Sequence, residues 1–422
     1  SLIIQDELHM ISGPLGSMVG AYETVIERLC RERGIGETKP KIIASTATIS
    51  YAREQIKHLY ARDKVFLFPP SGLEAGDSFF AREALNDDGS LQPGRLYLGV
   101  LAPAHGSLQT TEARVFASLM QHTAIMNTDD AGRDPWWTLI CFFNSLRELG
   151  SAASLFVADT REYLRVIIDR QGLKYDSIRK LFEVSELTSR IRSDLVPKEL
   201  ERLEKIYLSR ENKGENSEGF GDTVDACLAS NIIEVGVDVS RLALMVIVGQ
   251  PKTTSQYIQV SSRIGRDAEK PGLVVILYGQ SKPRDRSHYE RFRPYHQQLY
   301  AQVEPTSVTP FSPPAVDRAL HAIIVAAVRQ FGKLATESSK PDPFPLGEGT
   351  SLRNLVEKMI IDRVSVVAPD EQEAVVKKFL RHLDEWRTWS PAEYGSFGTV
   401  PKDPPLIHPA GNTQPPSWDG RS

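Results

Sequence analysis

Cysteine is scarce in this chain: Cys30, Cys141 and Cys227 are the only three in 422 residues. None belongs to a Cys-x-x-Cys pair, so neither a disulfide framework nor a zinc site is indicated, and each reads as a small buried hydrophobe. Long apolar runs are lacking too. No stretch of about 18 apolar residues could cross a bilayer, and no signal-peptide pattern is seen, so a soluble cytoplasmic protein without a membrane partner is expected. Neither sign of charge dominates: 50 Lys and Arg against 54 Asp and Glu leave a net charge of −4. That balance neither supports nor excludes a polyanionic partner, because binding depends on where the basic groups lie. Internal repeats are absent. The apolar fraction of 41% and charged fraction of 25% are ordinary for globular chains, and the length leaves room for two or three domains.

A further absence concerns phosphate chemistry. No Gly-x-x-x-x-Gly-Lys-Ser/Thr occurs, so no loop and lysine are offered to cradle β- and γ-phosphates. The glycine clusters at 13–20 and 34–36 lack the spacing.

What is present begins at once. The apolar run Leu2-Ile3-Ile4 leads into Gln5-Asp6-Glu7-Leu8-His9. A strand ending in Asp-Glu delivers two carboxylates to one edge of a sheet. There Asp6 can hold Mg²⁺ through its water shell and Glu7 can polarise the water that attacks a γ-phosphate. A solvated turn is the plainer alternative. About one helix later, after an amphipathic stretch at 18–31 that fits a βαβ crossover, comes Ile42-Ile43-Ala44-Ser45-Thr46-Ala47-Thr48. Hydroxyls such as Thr46 and Thr48 at that strand's end could relay between nucleotide and nucleic acid. An ordinary strand followed by Ser50 capping a helix from Tyr51 serves equally well.

Two later segments complete the series. Residues 225–238 run from a strand into Ser230 and then Gly236-Val237-Asp238. Ser230 could bond a nucleic-acid phosphate, Gly236 permits close backbone approach, and Asp238 could accept from a ribose hydroxyl; a plain strand and turn is the alternative. In Gln259-Val260-Ser261-Ser262-Arg263-Ile264-Gly265-Arg266, two arginines three apart fall at a helix end. Guanidinium groups bind phosphoryl oxygens bidentately and neutralise charge as a phosphate bond breaks. A basic helix terminus would account for Arg263 and Arg266 but for neither Gln259 nor Gly265.

In this order the motifs resemble those of superfamily 2 helicases. Asp6-Glu7-Leu8-His9 is similar to motif II, Thr46-Ala47-Thr48 to motif III and Ile140-Cys141-Phe142-Phe143-Asn144-Ser145 to motif IV. Residues 230–238 resemble motif V and 259–266 motif VI. Val260 and Ser262 stand where the family shows its first arginine and first glycine, while Arg263 and Arg266 match the two arginines aimed at the γ-phosphate. A narrower resemblance, to the helicase subunit of DISARM-type bacterial phage-defence systems, rests on the strings at 66–72, 76–80, 187–190, 287–292 and 304–312. A related branch of DExH repair helicases usually carries a cysteine-rich metal site, which is not seen here.

The resemblance implies ATP and Mg²⁺ as cofactors and DNA, with a single-stranded track, as partner, alongside other phage-defence subunits. Asp6, Glu7, Arg263 and Arg266 would be catalytic, with His9, Gly236, Asp238 and Gln259 at the nucleotide, Asp6 at the metal, and Thr46, Thr48 and Ser230 on nucleic acid. In the family the phosphate loop precedes motif II, so a protein missing its N-terminal part is the simplest expectation. A non-catalytic nucleic-acid-binding or scaffold module is the competing class.

The expected fold is α/β, with tandem RecA-like parallel-sheet domains, the first incomplete, followed by a mainly helical region. Residues 1–95 read as the back half of the first domain and 96–285 as the second. An accessory helical region is expected at 286–400 and a disordered or truncated tail at 401–422. Strands are expected at 95–101, 138–143, 223–229, 242–248 and 273–278, with helices at 315–331, opened by Ser312, and 370–389. Trp136-Trp137 could stack on bases, but packing fits its place before a strand better. His288, Tyr289, His296 and His321 lack metal-ligand spacing.

Overall fold

A computed structural model describes residues 1–32, 38–46, 50–70, 79–80, 82–103, 107–207, 223–231, 238–334, 339–395 and 405–407. The chain divides into two compact units, one formed by residues 1–70 with 305–422 and the other by 71–304. Of the expected accessory block at 286–400, residues 286–304 therefore fall in the second unit, and the rest share a unit with the N-terminal segment. The loop at 212–221 and, apart from 405–407, the tail from 401 lie outside the described residues.

The first unit opens with β1 (Leu2–Gln5), α1 (Gly13–Glu32), β2 (Lys41–Ala44) and α2 (Ala52–Tyr60). The two strands pair in parallel from Leu2↔Lys41 to Gln5↔Ala44, with α1 as the crossover. Ser50 is not the cap of α2. Tyr51 holds that position at φ 33° with no side-chain cap bond, because the chain reverses there through the left-handed region. One face of this small sheet packs Ile42 and Ala44 against Leu8 and Leu59. Leu2, Ile4 and Ile43 on the other face are exposed.

The second unit begins with β3 (Leu96–Leu101), α3 (Leu108–Ile125), α4 (Asp130–Trp137) and β4 (Leu139–Phe143). Then follow α5 (Leu146–Val157), α6 (Asp159–Gln171), β5 (Val184–Leu187), α7 (Val196–Glu204) and β6 (Ala226–Ala229). It closes with β7 (Leu244–Val248), α8 (Thr254–Ser261), β8 (Leu273–Tyr278), α9 (Pro283–Glu290) and α10 (Phe292–Gln297). All pairings in its six-stranded sheet are parallel, in the order β3-β8-β7-β4-β6-β5. The near-continuous apolar runs of β4 and β7 follow from burial on both faces. Alternate residues Leu139, Cys141 and Phe143 pack with Phe116, Leu149 and Phe156 of α3 and α5. Ile140 and Phe142 turn to the other side, in a cluster with Tyr257, Val260 and Ile264.

The remaining helices, α11 (Pro313–Phe331), α12 (Ser351–Val367) and α13 (Gln372–Trp389), belong to the first unit. Ala21 and Val25 of α1 join Leu320, Ile324, Val364 and Trp386 in one apolar core. The glycines at the start of α1 serve this packing. A Cβ at Gly20 would meet the Pro310 ring at 2.7 Å, and one at Gly16 would meet the Ile11 carbonyl oxygen at 2.7 Å. Ser312 occupies the N-cap of α11 but makes no side-chain cap bond.

Candidate functional site

In the first unit, parallel pairing carries Asp6 and Ser45 one residue past the ends of β1 and β2. The ladder continues there, with Ser45 N donating to Gln5 O and Leu8 N to Ser45 O, both at 2.9 Å. Ser45 Oγ donates a short hydrogen bond to Asp6 Oδ1, which also accepts from Glu7 N at 2.9 Å. The Ser45 bond, then the Glu7 amide, hold the exposed Asp6 carboxyl below its ordinary range, with a smaller contribution from His9. Asp6 is therefore an anion at neutral pH. Its carboxylate is open to solvent, a donor that suits Mg²⁺ held through water.

Glu7 adopts φ 51° and ψ 50°, a left-handed conformation uncommon for a residue with a side chain. His9 Nδ1 lies 3.4 Å from Glu7 Oε2 and 3.1 Å from Thr46 Oγ1. The structure thus brings Asp6, Glu7, His9 and Thr46 together at one sheet edge; Thr48 lies outside the described residues. Behind them the buried Gln55 donates to Ile11 O at 2.9 Å and accepts from Thr306 Oγ1 at 2.9 Å.

The second unit presents two further groups. Ser230 follows β6 and Asn144 follows β4, so both stand at the C-terminal edge of neighbouring parallel strands. This edge is where α/β sheets bind ligands. Ser230 is 6% exposed, and Asn144 Nδ2 donates to Val248 O at 3.0 Å and Gly249 O at 3.2 Å. Lys282 pairs with Glu148 at 2.7 Å.

The other group lies beyond α8. Gln259 is within that helix, but Arg263 and Arg266 fall in the turn after it rather than on a helical face. Gly265, at φ 56°, makes that turn, and a Cβ there would meet Gly272 N at 2.7 Å. Arg263 is 9% exposed. Arg266 forms a short ion pair with Asp238 and donates from Nε to Ser262 O at 3.2 Å. Asp238 and Arg266 are thus one unit of charge compensation, a contact that neither motif indicated. Gly236 lies outside the described residues.

Sequence reasoning missed Ser45 as the partner of Asp6, although the serine stands in the motif beside Thr46. It also missed the buried Asp225, which accepts from Arg179 Nη2 at 2.6 Å, Phe182 N at 2.7 Å and Glu183 N at 3.0 Å. A lone Asp before a strand carries no signal of such partners. Trp137 is packed rather than presented: Tyr207 stacks on it at 3.7 Å, and the Arg179 guanidinium lies 3.1 Å from its ring centre.

Residues 154–268 match the helicase conserved C-terminal domain family. With the parallel α/β architecture, this makes the chain similar to superfamily 2 helicases. Its sequence is DISARM-like. Over 390 residues, 91% of the chain, it is 43% identical to the DISARM protein DrmA of Bacillus paralicheniformis, and it spans 33% of that relative's length. The helicase Lhr of Mycobacterium smegmatis, bound to single-stranded DNA and AMP-PNP, shares the fold with a TM-score of 0.51 at 14% identity. That match covers 87% of this chain and 36% of Lhr. The DUF1998 helicase MrfA, bound to DNA and AMPPNP, is 17% identical with a TM-score of 0.49, over 78% of this chain and 37% of MrfA. Among the described residues, no helix is long and apolar enough to cross a membrane.

Proposed function

We propose that this chain is part of the motor core of an ATP-dependent helicase or translocase acting on DNA in cytoplasmic phage defence. The observation that carries the reading is the sheet edge where Asp6, clamped by Ser45, stands beside Glu7, His9 and Thr46. A carboxylate held ionised suits a hydrated Mg²⁺, and the ion, when bound, neutralises developing charge on the β- and γ-phosphate oxygens. Glu7 accepts the proton of the attacking water. Thr46, through His9, couples that edge to a nucleic-acid strand, a role shared with Thr48. In the second unit Arg263 and Arg266 take the γ-phosphate charge, with Gln259, Gly236 and Asp238 at the nucleotide. Ser230 takes a DNA phosphate. Hydrolysis drives movement along a strand. Other subunits of the defence system would be partners, as the 43% identity to a DISARM protein suggests.

The reading predicts DNA binding of one kind. On this reading Ser230 contacts a phosphate rather than a base, so affinity should be sequence-independent and should weaken as salt rises. Fluorescence anisotropy with poly-T and mixed-sequence oligonucleotides, at low and moderate salt, measures both. Strong sequence preference, or affinity indifferent to salt, contradicts the reading. Absence of binding by the folded chain favours a scaffold.

A further inference from the structure

A charged cavity that the motor reading does not use lies in the first unit, where the C-terminal half of α1 faces α12 beside Lys39. Its volume is about 430 Å³, within the range of small-ligand sites. Five cations line it, Arg28, Arg31, Lys39, Lys358 and Arg363, against only two carboxylates, Glu27 and Asp362. Glu27 is already shared, by Arg31 at 2.6 Å, Arg363 at 3.3 Å and Lys39 at 3.6 Å, and by Arg62 at 2.7 Å. Lys358 makes no ion pair among the described residues.

Arg28 pairs with Glu32 at 3.2 Å, but several donor atoms here lack acceptors among the described residues. Thr24, Arg28 and Arg31 are spaced to share one face of α1. Thr24 is 3% exposed, lines the cavity, and its Oγ1 has no hydrogen-bond partner among the described residues. The Nε atoms of Arg28, Arg31 and Arg363 are likewise buried and without partners among the described residues. Buried polar groups are nearly always bonded, so these four atoms behind the cavity wall leave its positive charge less compensated than the ion pairs alone suggest. The site is also remote from the carboxylates. Asp6 and Glu7 precede α1, whereas the cavity is lined by its C-terminal half, about 17 to 27 Å along the helix from Gly13 by helical rise.

We propose that this cavity binds a small, multiply charged, phosphate-bearing anion, held by Arg28, Arg31 and Lys358. Guanidinium forks match phosphate oxygens, and recessed donors favour a compact anion over an extended acidic chain. An occupant would tie α1 to α12 through charge as well as through their shared core.

Calorimetric titration of the full 422-residue chain with pyrophosphate, at constant ionic strength, tests this. Saturable binding is expected. Lys358→Gln should weaken it about tenfold, the loss of one charge-assisted bond, and Arg28→Gln/Lys358→Gln further. Far-UV circular dichroism of the variants should match the parent. A parallel titration with adenosine diphosphate separates a nucleotide from a plain phosphate, and binding of either supports the site only where Lys358→Gln weakens it. The proposal is overturned by absence of saturable binding, by full-strength binding to the double variant, or by a poly-glutamate peptide binding where pyrophosphate does not. None of these outcomes bears on the motor reading.

Discussion

Asp225→Ala should destabilise the second unit severely. Asp225 is 3% exposed, and its two oxygens serve the Arg179 guanidinium and the amides of Phe182 and Glu183. Arg179 is also 3% exposed. Burial pulls its pKa down to about 10, with Asp225 opposing the shift, so it remains a cation at neutral pH. Removing the carboxylate leaves a buried charge without its counterion and two amides without acceptors. Breaking such a pair costs about 3–5 kcal/mol, and each kcal/mol is worth roughly 2–4 °C in a unit of this size, so the melting temperature should fall by roughly 10 °C. Arg179→Met/Asp225→Leu should recover much of the loss, because an apolar pair of similar volume replaces the ion pair without stranding a charge. Thermal unfolding followed by circular dichroism reads all three proteins. A drop of less than about 2 °C in the single variant would refute the reasoning, as would a double variant no better than the single.

Further outcomes follow from other residues. Burial, reinforced by Glu148 and opposed by Lys282, raises the Glu112 carboxyl to about 7 from an ordinary 4.5. The folded chain keeps this proton where the unfolded chain has lost it. The stabilising contribution is therefore full below about pH 4.5 and lost as pH rises toward about 7. Glu112→Gln should then gain stability on the order of 2 kcal/mol at pH 8 and little at pH 4.5, as read from melting curves at both. Asp238→Asn should lower stability by less than about 1 kcal/mol, since its pair with Arg266 is exposed on the Asp238 side, and chemical denaturation measures this. Arg266→Ala should slow ATP turnover by two orders of magnitude or roughly that, in a protein that carries a phosphate loop, since charge in the transition state loses a partner.

The strongest strands were legible for a simple reason. Leu139-Ile140-Cys141-Phe142-Phe143 and Leu244-Met245-Val246-Ile247-Val248 lie inside a doubly covered sheet, and burial on both faces demands such runs. The edge strand Val184-Ser185-Glu186-Leu187 carries no comparable run and escaped notice. The glycines at 13–20 looked like a failed phosphate loop, yet two of them let α1 approach its neighbours closely. Long-range partnership was the least legible feature. Nothing local in residues 313–389 indicates that their helices share a core with Ala21 and Val25. At the candidate site, Asp6, Glu7 and Thr46 could be gathered from order and spacing, and His9 from the resemblance to helicase motif II. The Ser45 clamp and the pairing of Arg266 with Asp238 depend on backbone register and turn geometry that spacing does not encode.

The most direct measurement of the motor reading is phosphate release by the 422 residues joined to a segment that supplies a phosphate loop, with excess single-stranded DNA. The 422 residues alone should turn over far more slowly than about 1 s⁻¹, since their sequence contains no Gly-x-x-x-x-Gly-Lys-Ser/Thr loop to hold the β- and γ-phosphates for hydrolysis. The joined protein should hydrolyse ATP, and Glu7→Gln should abolish turnover while leaving ATP binding largely intact, because the amide keeps the shape but cannot accept the water's proton. Near-parental turnover in Glu7→Gln would contradict the assignment of the catalytic carboxylate, and with it the account of Asp6-Glu7-Leu8-His9 as the hydrolytic edge.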